Sequence, residues 1–265
     1  MYKTYKIITF LIIPILLLNI LFRILINKED VKRVKERFGL STRFKPLNKK
    51  VIWIHAASIG EFKSCDFIIN QYHHLYCLLI TTTTKTAAEY AVKNYGDKII
   101  HQYAPFDITI WINSFIRIWQ PKLVIWVESD LWPNTIINIK KHNIKSIFLN
   151  ARISPKSFNN WKKFSSFYKY ILKSFSYIFA QSINDLKRMQ MLTNLEMRFI
   201  GNLKLTYKKV KTKQIKNNDA ITIMIGSTHK NEERLIVPML IKNKNEFKNI
   251  KFYIAPRHPD RATTV

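Results

Sequence analysis

Acidic side chains and cysteines are scarce in this chain. Only 17 Asp and Glu stand against 44 Lys and Arg, a formal net charge of +27 at pH 7. An excess of that size suits a phosphate-rich partner, either nucleic acid or an anionic membrane. Its distribution argues against nucleic acid: the 33 Lys are scattered among Ile and Asn rather than gathered in one run, and lysine then reads as surface filler in a compositionally biased chain. No nucleic acid is expected, whereas an anionic membrane surface is. The two cysteines, Cys65 and Cys77, lack the paired spacing of a zinc site or a disulfide framework and read as buried thiols in a reducing compartment. There is also no His/Cys cluster, no Walker-type loop and no internal repeat, so no metal and no cofactor are expected. His73 and His74 read as residues on a helix surface.

What the chain does have is apolar content. With 47% hydrophobic and 13% aromatic residues, 265 residues suffice for one large or two modest domains with real cores. The first apolar stretch, Ile7 to Ile26, reads IITFLIIPILLLNILFRILI, broken only by Thr9, Pro14, Asn19 and Arg23. As a helix it is long enough to cross a hydrocarbon core of roughly 30 Å. The first Gly, Ala or Ser beyond it is Gly39, so no signal-peptide cleavage site follows and residues 1–27 read as an uncleaved anchor helix. Lysine and arginine are denser after the run than before it, which puts the globular part in the cytoplasm. Arg23 can snorkel toward that interface, and a helix lying in the membrane surface is the alternative to a spanning one. Residues 28–50 form a basic connector with a short helix over Val31 to Phe38, ended by Gly39, whose charge is expected to face lipid headgroups.

Beyond the connector, short runs rich in Ile, Val and Phe alternate with longer stretches of mixed polarity. The expected strands are Val51 to His55, Tyr76 to Thr82, Ile99 to Tyr103, Leu123 to Val127, Ser146 to Leu149, Tyr177 to Ala180 and Arg198 to Ile200. Helices fit between them, for instance over Thr86 to Tyr95, Leu131 to His142 and Asn184 to Leu192. That alternation implies right-handed crossovers and a parallel sheet, an α/β Rossmann-like domain over 51–205. A polar, Lys-rich linker over 206–219 follows. A second domain then begins at 220, with Ile221 to Ile225 and Lys251 to Ala255 as strands around a helix over Glu232 to Lys242.

In open α/β sheets ligands sit beyond the carboxyl ends of the strands. Four places there carry candidate chemistry. The first strand runs into His55-Ala56-Ala57-Ser58-Ile59-Gly60-Glu61, where small residues let backbone amides approach a ligand and Glu61, at a helix start, is an anion able to accept a proton; alternatively it only complements the helix dipole. The fourth strand ends in Glu128-Ser129-Asp130-Leu131-Trp132-Pro133-Asn134, a carboxylate beside an aromatic wall that suits a polar sugar. Asp130 there reads as a cap of the following helix. Gly201-Asn202-Leu203-Lys204 closes the first domain, and Lys204 is either an anion ligand or one more surface lysine. Finally, Gly226-Ser227-Thr228-His229 and Pro256-Arg257-His258-Pro259 follow the two strands of the second domain, and such turns can hold a phosphate, with a capped helix and a Pro-bounded loop as the plainer account.

In order along the chain, the apolar run and the segments HAASIGE, TTTTKTAAEYA, YAPFD, ESDLWPN, LNARIS, AQS, GNLK, GSTHKNEE and APRHPDR resemble the 3-deoxy-D-manno-octulosonic acid (Kdo) transferases of Gram-negative envelope synthesis over essentially the whole chain. The resemblance implies a two-domain GT-B-like glycosyltransferase at the bacterial inner membrane. It implies transfer of Kdo from CMP-Kdo to the 6′-hydroxyl of a lipid A precursor, lipid IV(A), with inversion and without a metal. On the matching positions, Glu61 would be the general base, and Glu128 and Lys204 the other residues that activity needs. Ser227, Thr228, Arg257 and His258 would face the CMP. Asp130 stands where the family has Glu, and Lys230-Asn231 where it has Glu-Gly. The family's donor domain continues past the position of Val265, so the chain reads as C-terminally truncated and poorly active or inactive by itself. The alternatives are an inactive remnant that only binds lipid and a basic, membrane-tethered nucleic-acid binder.

Overall fold

The computed structural model describes residues 1–128, 130–205, 221–242, 250–257 and 261. The chain divides into two compact units, Met1–Tyr207 and Lys208–Val265. The segment read as a linker, 206–219, lies outside the described residues.

The first unit opens with two helices, α1 (Tyr2–Leu11) and α2 (Ile13–Leu25), bent by 49° at their junction. Pro14 lies in the first turn of α2, where its missing N–H costs that helix nothing but ends α1. Among the described residues no single helix is long and apolar enough to cross a membrane; this bent pair passes the length and composition test only when taken together. Several polar residues of the helix pair also have partners in the protein. Tyr5 donates to Asp107 (2.9 Å), Thr9 accepts from Asn134 Nδ2 (3.0 Å), and Arg23 binds Glu29 (3.0 Å) instead of snorkelling.

The connector differs from its expected lipid-facing role. Val31–Phe38 is a 3-10 helix, and its arginines turn inward. Arg37 is 4% exposed, pairs with Glu29 (2.9 Å) and donates to the Thr83 carbonyl (2.7 Å). Arg33 binds Glu36 (2.9 Å) and the His101 carbonyl (2.9 Å). The physical reason is the company of Glu29 and Glu36, two of the chain's few acids, and of loop carbonyls that need donors once buried. Lys28, Lys35, Lys49 and Lys50 stay exposed. Gly39 ends the turn at φ +74, and a Cβ there would lie 2.0 Å from the Trp111 carbonyl oxygen, so only glycine fits.

The rest of the unit is doubly wound. Its elements are β1 (Val51–His55), α3 (Ile59–Lys63), α4 (Asp66–Tyr72), β2 (Cys77–Thr82), α5 (Lys85–Tyr95), β3 (Ile100–Tyr103) and α6 (Thr109–Trp119). They continue with β4 (Leu123–Val127), α7 (Pro133–Lys141), β5 (Lys145–Ala151), α8 (Pro155–Lys162), α9 (Ser165–Leu172), β6 (Tyr177–Ala180), α10 (Ile183–Thr193) and β7 (Arg198–Phe199). The seven strands form one parallel sheet in the order β3-β2-β1-β4-β5-β6-β7. Alternation along the strands feeds two cores: Trp53, Val124 and Trp126 join Phe115, Trp119 and Phe148 on one face, while Ile54, Ile125 and Val127 join Phe62, Leu78 and Ile80 on the other. Cys65 and Cys77 are both buried and free. His73 and His74 lie in the turn after α4 rather than on a helix face, because the chain must reverse there to enter β2.

The second unit contributes β8 (Ile221–Thr228), α11 (Lys230–Lys242) and β9 (Ile250–Pro256), with the two strands parallel. The sheet order of the first unit reverses between β1 and β4, and that switch point is where doubly wound folds bind ligands.

Candidate active site

Both carboxylates singled out in the sequence follow the two strands at the switch point. Glu61 sits in the first turn of α3, whose N-cap Ser58 accepts from the Glu61 amide (3.3 Å) while the Glu61 carboxylate accepts from the Ala57 amide (2.5 Å). That reciprocal pair is a capping arrangement, so the plainer account of Glu61 describes part of its role. The other part is electrostatic. Glu61 is 7% exposed, and its carboxyl is pushed up to about 7, first by burial and then by the charges of Asp130 and Glu128, against the two amides that favour the anion.

Glu128 stands just past β4 with φ 66, a left-handed conformation that a glutamate adopts at a cost of about 1–3 kcal/mol and that recurs where function over-determines a backbone. Its amide donates to Leu149 O (3.0 Å) and its carbonyl accepts from Arg152 N (3.3 Å), which carry the parallel β4–β5 pairing past the end of β4. One carboxylate oxygen, Oε1, collects three donors: Lys204 Nζ at 2.6 Å, Ser64 Oγ at 3.3 Å and Asn150 Nδ2 at 3.5 Å. Lys204 also lies against α3, since a Cβ on Gly60 would be 3.9 Å from its Nζ. Three residues expected to act together, Glu61, Glu128 and Lys204, are therefore brought to one edge of the sheet.

Asn150 and Ser64 were not singled out by sequence. Asn150 is fully buried, at φ 54, and its Oδ1 accepts from the Leu203 amide (3.2 Å), so it ties Glu128 to the turn that carries Lys204. In sequence Asn150 lies within the LNARIS segment, at a strand end, and Asn is a residue type suited to the left-handed region. Ser64 left no such signal.

Beside the carboxylates lies an aromatic wall. The ring of His55 stacks on Trp126 with centroids 4.0 Å apart and lies 4.7 Å from Trp132. His55 is fully buried, and burial alone lowers its pKa to about 3, so it is neutral at physiological pH. Asp130 does not cap the following helix as expected. The N-cap of α7 is Trp132, and the first free amides, Asn134 N and Thr135 N, are met from outside by Asp107 at 3.1 and 2.7 Å. With Pro133 at the helix start the chain enters too abruptly for Asp130 to fold back, and a carboxylate from the loop after β3 takes the positive end of the helix instead. Asp130 is exposed, and its carboxyl is raised by burial of its surroundings and by Glu128. Ser129 lies outside the described residues.

In the second unit, Ser227 is exposed with φ 62, at a register shift between β8 and β9. Thr228 is buried and its hydroxyl donates to Glu233 (2.7 Å), which also pairs with Arg261. Arg257 is exposed and its amide donates to Thr228 O (3.0 Å). His258 lies outside the described residues. Among the described residues no group of three or more His, Cys, Asp or Glu is placed to hold a metal.

The doubly wound parallel sheet, with both acids at its switch point, is a GT-B-like fold. The UDP-GlcNAc 2-epimerase of Neisseria meningitidis, solved bound to UDP-GlcNAc, shares this fold with a TM-score of 0.55 at 12% identity, over 77% of this chain and 64% of that one. Sequence comparison narrows the class. The family model described as 3-deoxy-D-manno-octulosonic-acid transferase (kdotransferase) matches residues 32–207. The transferase of that name from Rickettsia bellii is 34% identical over 277 residues, covering 100% of this chain and 65% of the relative; that from Haemophilus influenzae is 30% identical over 248 residues, covering 88% and 58%. The chain belongs to the Kdo transferase family, and it spans 65% of the length of the Rickettsia bellii relative.

Proposed function

We propose that the protein carrying this chain transfers Kdo from CMP-Kdo to a hydroxyl of a lipid A precursor, lipid IV(A), and releases CMP. Family membership supports the reaction class. The single observation that carries the mechanism is a buried glutamate titrating near 7 at the switch point, beside an ion-paired Glu128 and Lys204. A carboxyl with that pKa is substantially ionised at neutral pH and yet basic enough to take a proton in the transition state.

Glu61 removes the proton of the acceptor 6′-hydroxyl as its oxygen bonds to the anomeric carbon of Kdo. The bond from that carbon to the phosphate oxygen breaks on the opposite face, and its electron pair leaves with CMP, so the centre inverts without a metal in the step. Glu128 and Lys204 hold the sugar and fix the shape of the pocket floor. Ser227, Thr228, Arg257 and His258 take the CMP phosphate, for which the Arg257 guanidinium offers a planar fork. In this reading 51–205 is the acceptor-binding domain and 220–265 the start of the donor domain. The bent apolar helix pair and the lysine excess keep the catalytic part at the cytoplasmic face of the inner membrane, where both reactants share one surface.

Single-turnover transfer tests this. Glu61→Gln should lower the rate by at least about a hundredfold and leave CMP-Kdo binding within twofold or so of the parent; undiminished transfer removes Glu61 from the chemistry.

A further inference from the structure

The polar side of α1 is committed to the domain through Tyr5 and Asp107, Thr9 and Asn134, and ring contacts of Tyr2 with Tyr170 (5.9 Å) and Tyr5 with Phe167 (6.0 Å). Between α1 and the start of α6 lies a groove of about 530 Å³. Ile7 and Phe10 wall it from α1, Ile108 and Ile110 from the α6 side, and two exposed lysines, Lys3 and Lys6, belong to the same lining. Among the described residues no acidic one lines it.

Water is a poor occupant for such a groove. Ile7, Phe10 and Ile110 are 60%, 56% and 60% exposed, and apolar surface of that extent gathered in one concavity marks a binding site. The patch continues along α2 through Ile15, Leu18 and Leu21, all more than half exposed. An apolar channel with two cations one helical turn apart fits a molecule with a long hydrocarbon and a single anionic head. We infer that this groove holds one acyl chain of an anionic glycerophospholipid, with the lipid phosphate lying on Lys3 and Lys6. The lipid thereby fastens α1 to the domain from the outside, as Asp107 and Asn134 fasten it from the inside. The lining includes neither Glu61 nor Glu128, and the groove needs no donor sugar to fill.

Native mass spectrometry of the full chain, released in a mild non-ionic detergent from vesicles of phosphatidylglycerol and phosphatidylcholine, tests this without any transfer assay. The expected result is one retained phosphatidylglycerol per chain, preferred about thirtyfold over phosphatidylcholine, whose choline cation already neutralises its phosphate and repels the two lysines. Lys3→Glu with Lys6→Glu should abolish the preference. Ile110→Trp, at an exposed position, should fill the groove and lose the retained lipid while thermal unfolding and sedimentation with vesicles stay as in the parent. Equal retention of both lipids by the parent overturns the proposal, as does a lipid still bound in Ile110→Trp. Retention of an acyl-sugar lipid in place of phosphatidylglycerol, when both are offered, overturns it too and assigns the groove to the acceptor.

Discussion

Lys204 Nζ lies 2.6 Å from Glu128 Oε1, joining the last turn of the first unit to the end of its central strand. Glu128 is only 4% exposed, so the ammonium is what keeps its charge tolerable so far from water. Lys204→Met should therefore destabilise the protein by about 1–2 kcal/mol, less than for a fully buried pair because the lysine is partly exposed. Transfer should fall by about a hundredfold or more. Lys204→Arg should recover the stability and not the rate, since a planar guanidinium cannot occupy the ammonium's place between Glu128 and Gly60. Thermal denaturation and steady-state transfer read the two effects separately.

Glu61 makes a different mark on stability. Its folded pKa, about 7, is above the ordinary value of 4.5. Below about pH 4.5 the group is protonated in both states; as pH rises toward 7 the unfolded chain ionises freely while the fold resists, and stability is lost across that window. Glu61→Gln stays neutral throughout. The variant should match its parent near pH 4 and exceed it near pH 8 by on the order of 2 kcal/mol, read by denaturant unfolding. A difference that does not change with pH would show that the carboxyl is not desolvated.

Asn150 is a positioning residue whose role can be separated from its backbone strain. At φ 54, alanine loses the side chain and suffers the left-handed conformation, whereas glycine loses the side chain alone. Asn150→Gly should cost about 1–3 kcal/mol for the buried groups left unpaired, and Asn150→Ala about 1 kcal/mol more for the left-handed backbone. Both should lower kcat by about tenfold with little change in KM, because Glu128 and the Leu203–Lys204 turn lose their common tie. A KM effect alone would mean that Asn150 only shapes ground-state binding.

The sheet was legible because its strands are buried on both faces and read as continuous β-branched runs between turn residues, as at Val51–His55 and Leu123–Val127. The pairing order was not, since nothing in a run such as Tyr177–Ala180 says which strand lies beside it. Glu61, at the helix start after β1, and Glu128, at the end of β4, drew notice by their place beyond the strands, and their roles came only from the resemblance to the Kdo transferases. Asp107 was not assigned its capping role because its partners, Asn134 and Thr135, come from the next crossover. The connector misled for a similar reason: Arg33 and Arg37 look like surface charge until Glu29, Glu36 and the loop carbonyls fold around them. Contacts between distant segments leave no local pattern in sequence.

For Glu61 to serve as the proposed base with a pKa set by its neighbours, transfer must follow the ionisation of that one carboxyl. The most direct measurement is the pH dependence of kcat/KM for transfer, in the parent and in Asp130→Asn. The rate should rise with pH through an apparent pKa near 7 and level above it. In Asp130→Asn the limb should move toward acid, because one of the charges that raises Glu61 is gone. A rate flat between about pH 5.5 and 8.5, or a limb that stays in place when Asp130 is neutralised, would contradict that role for Glu61.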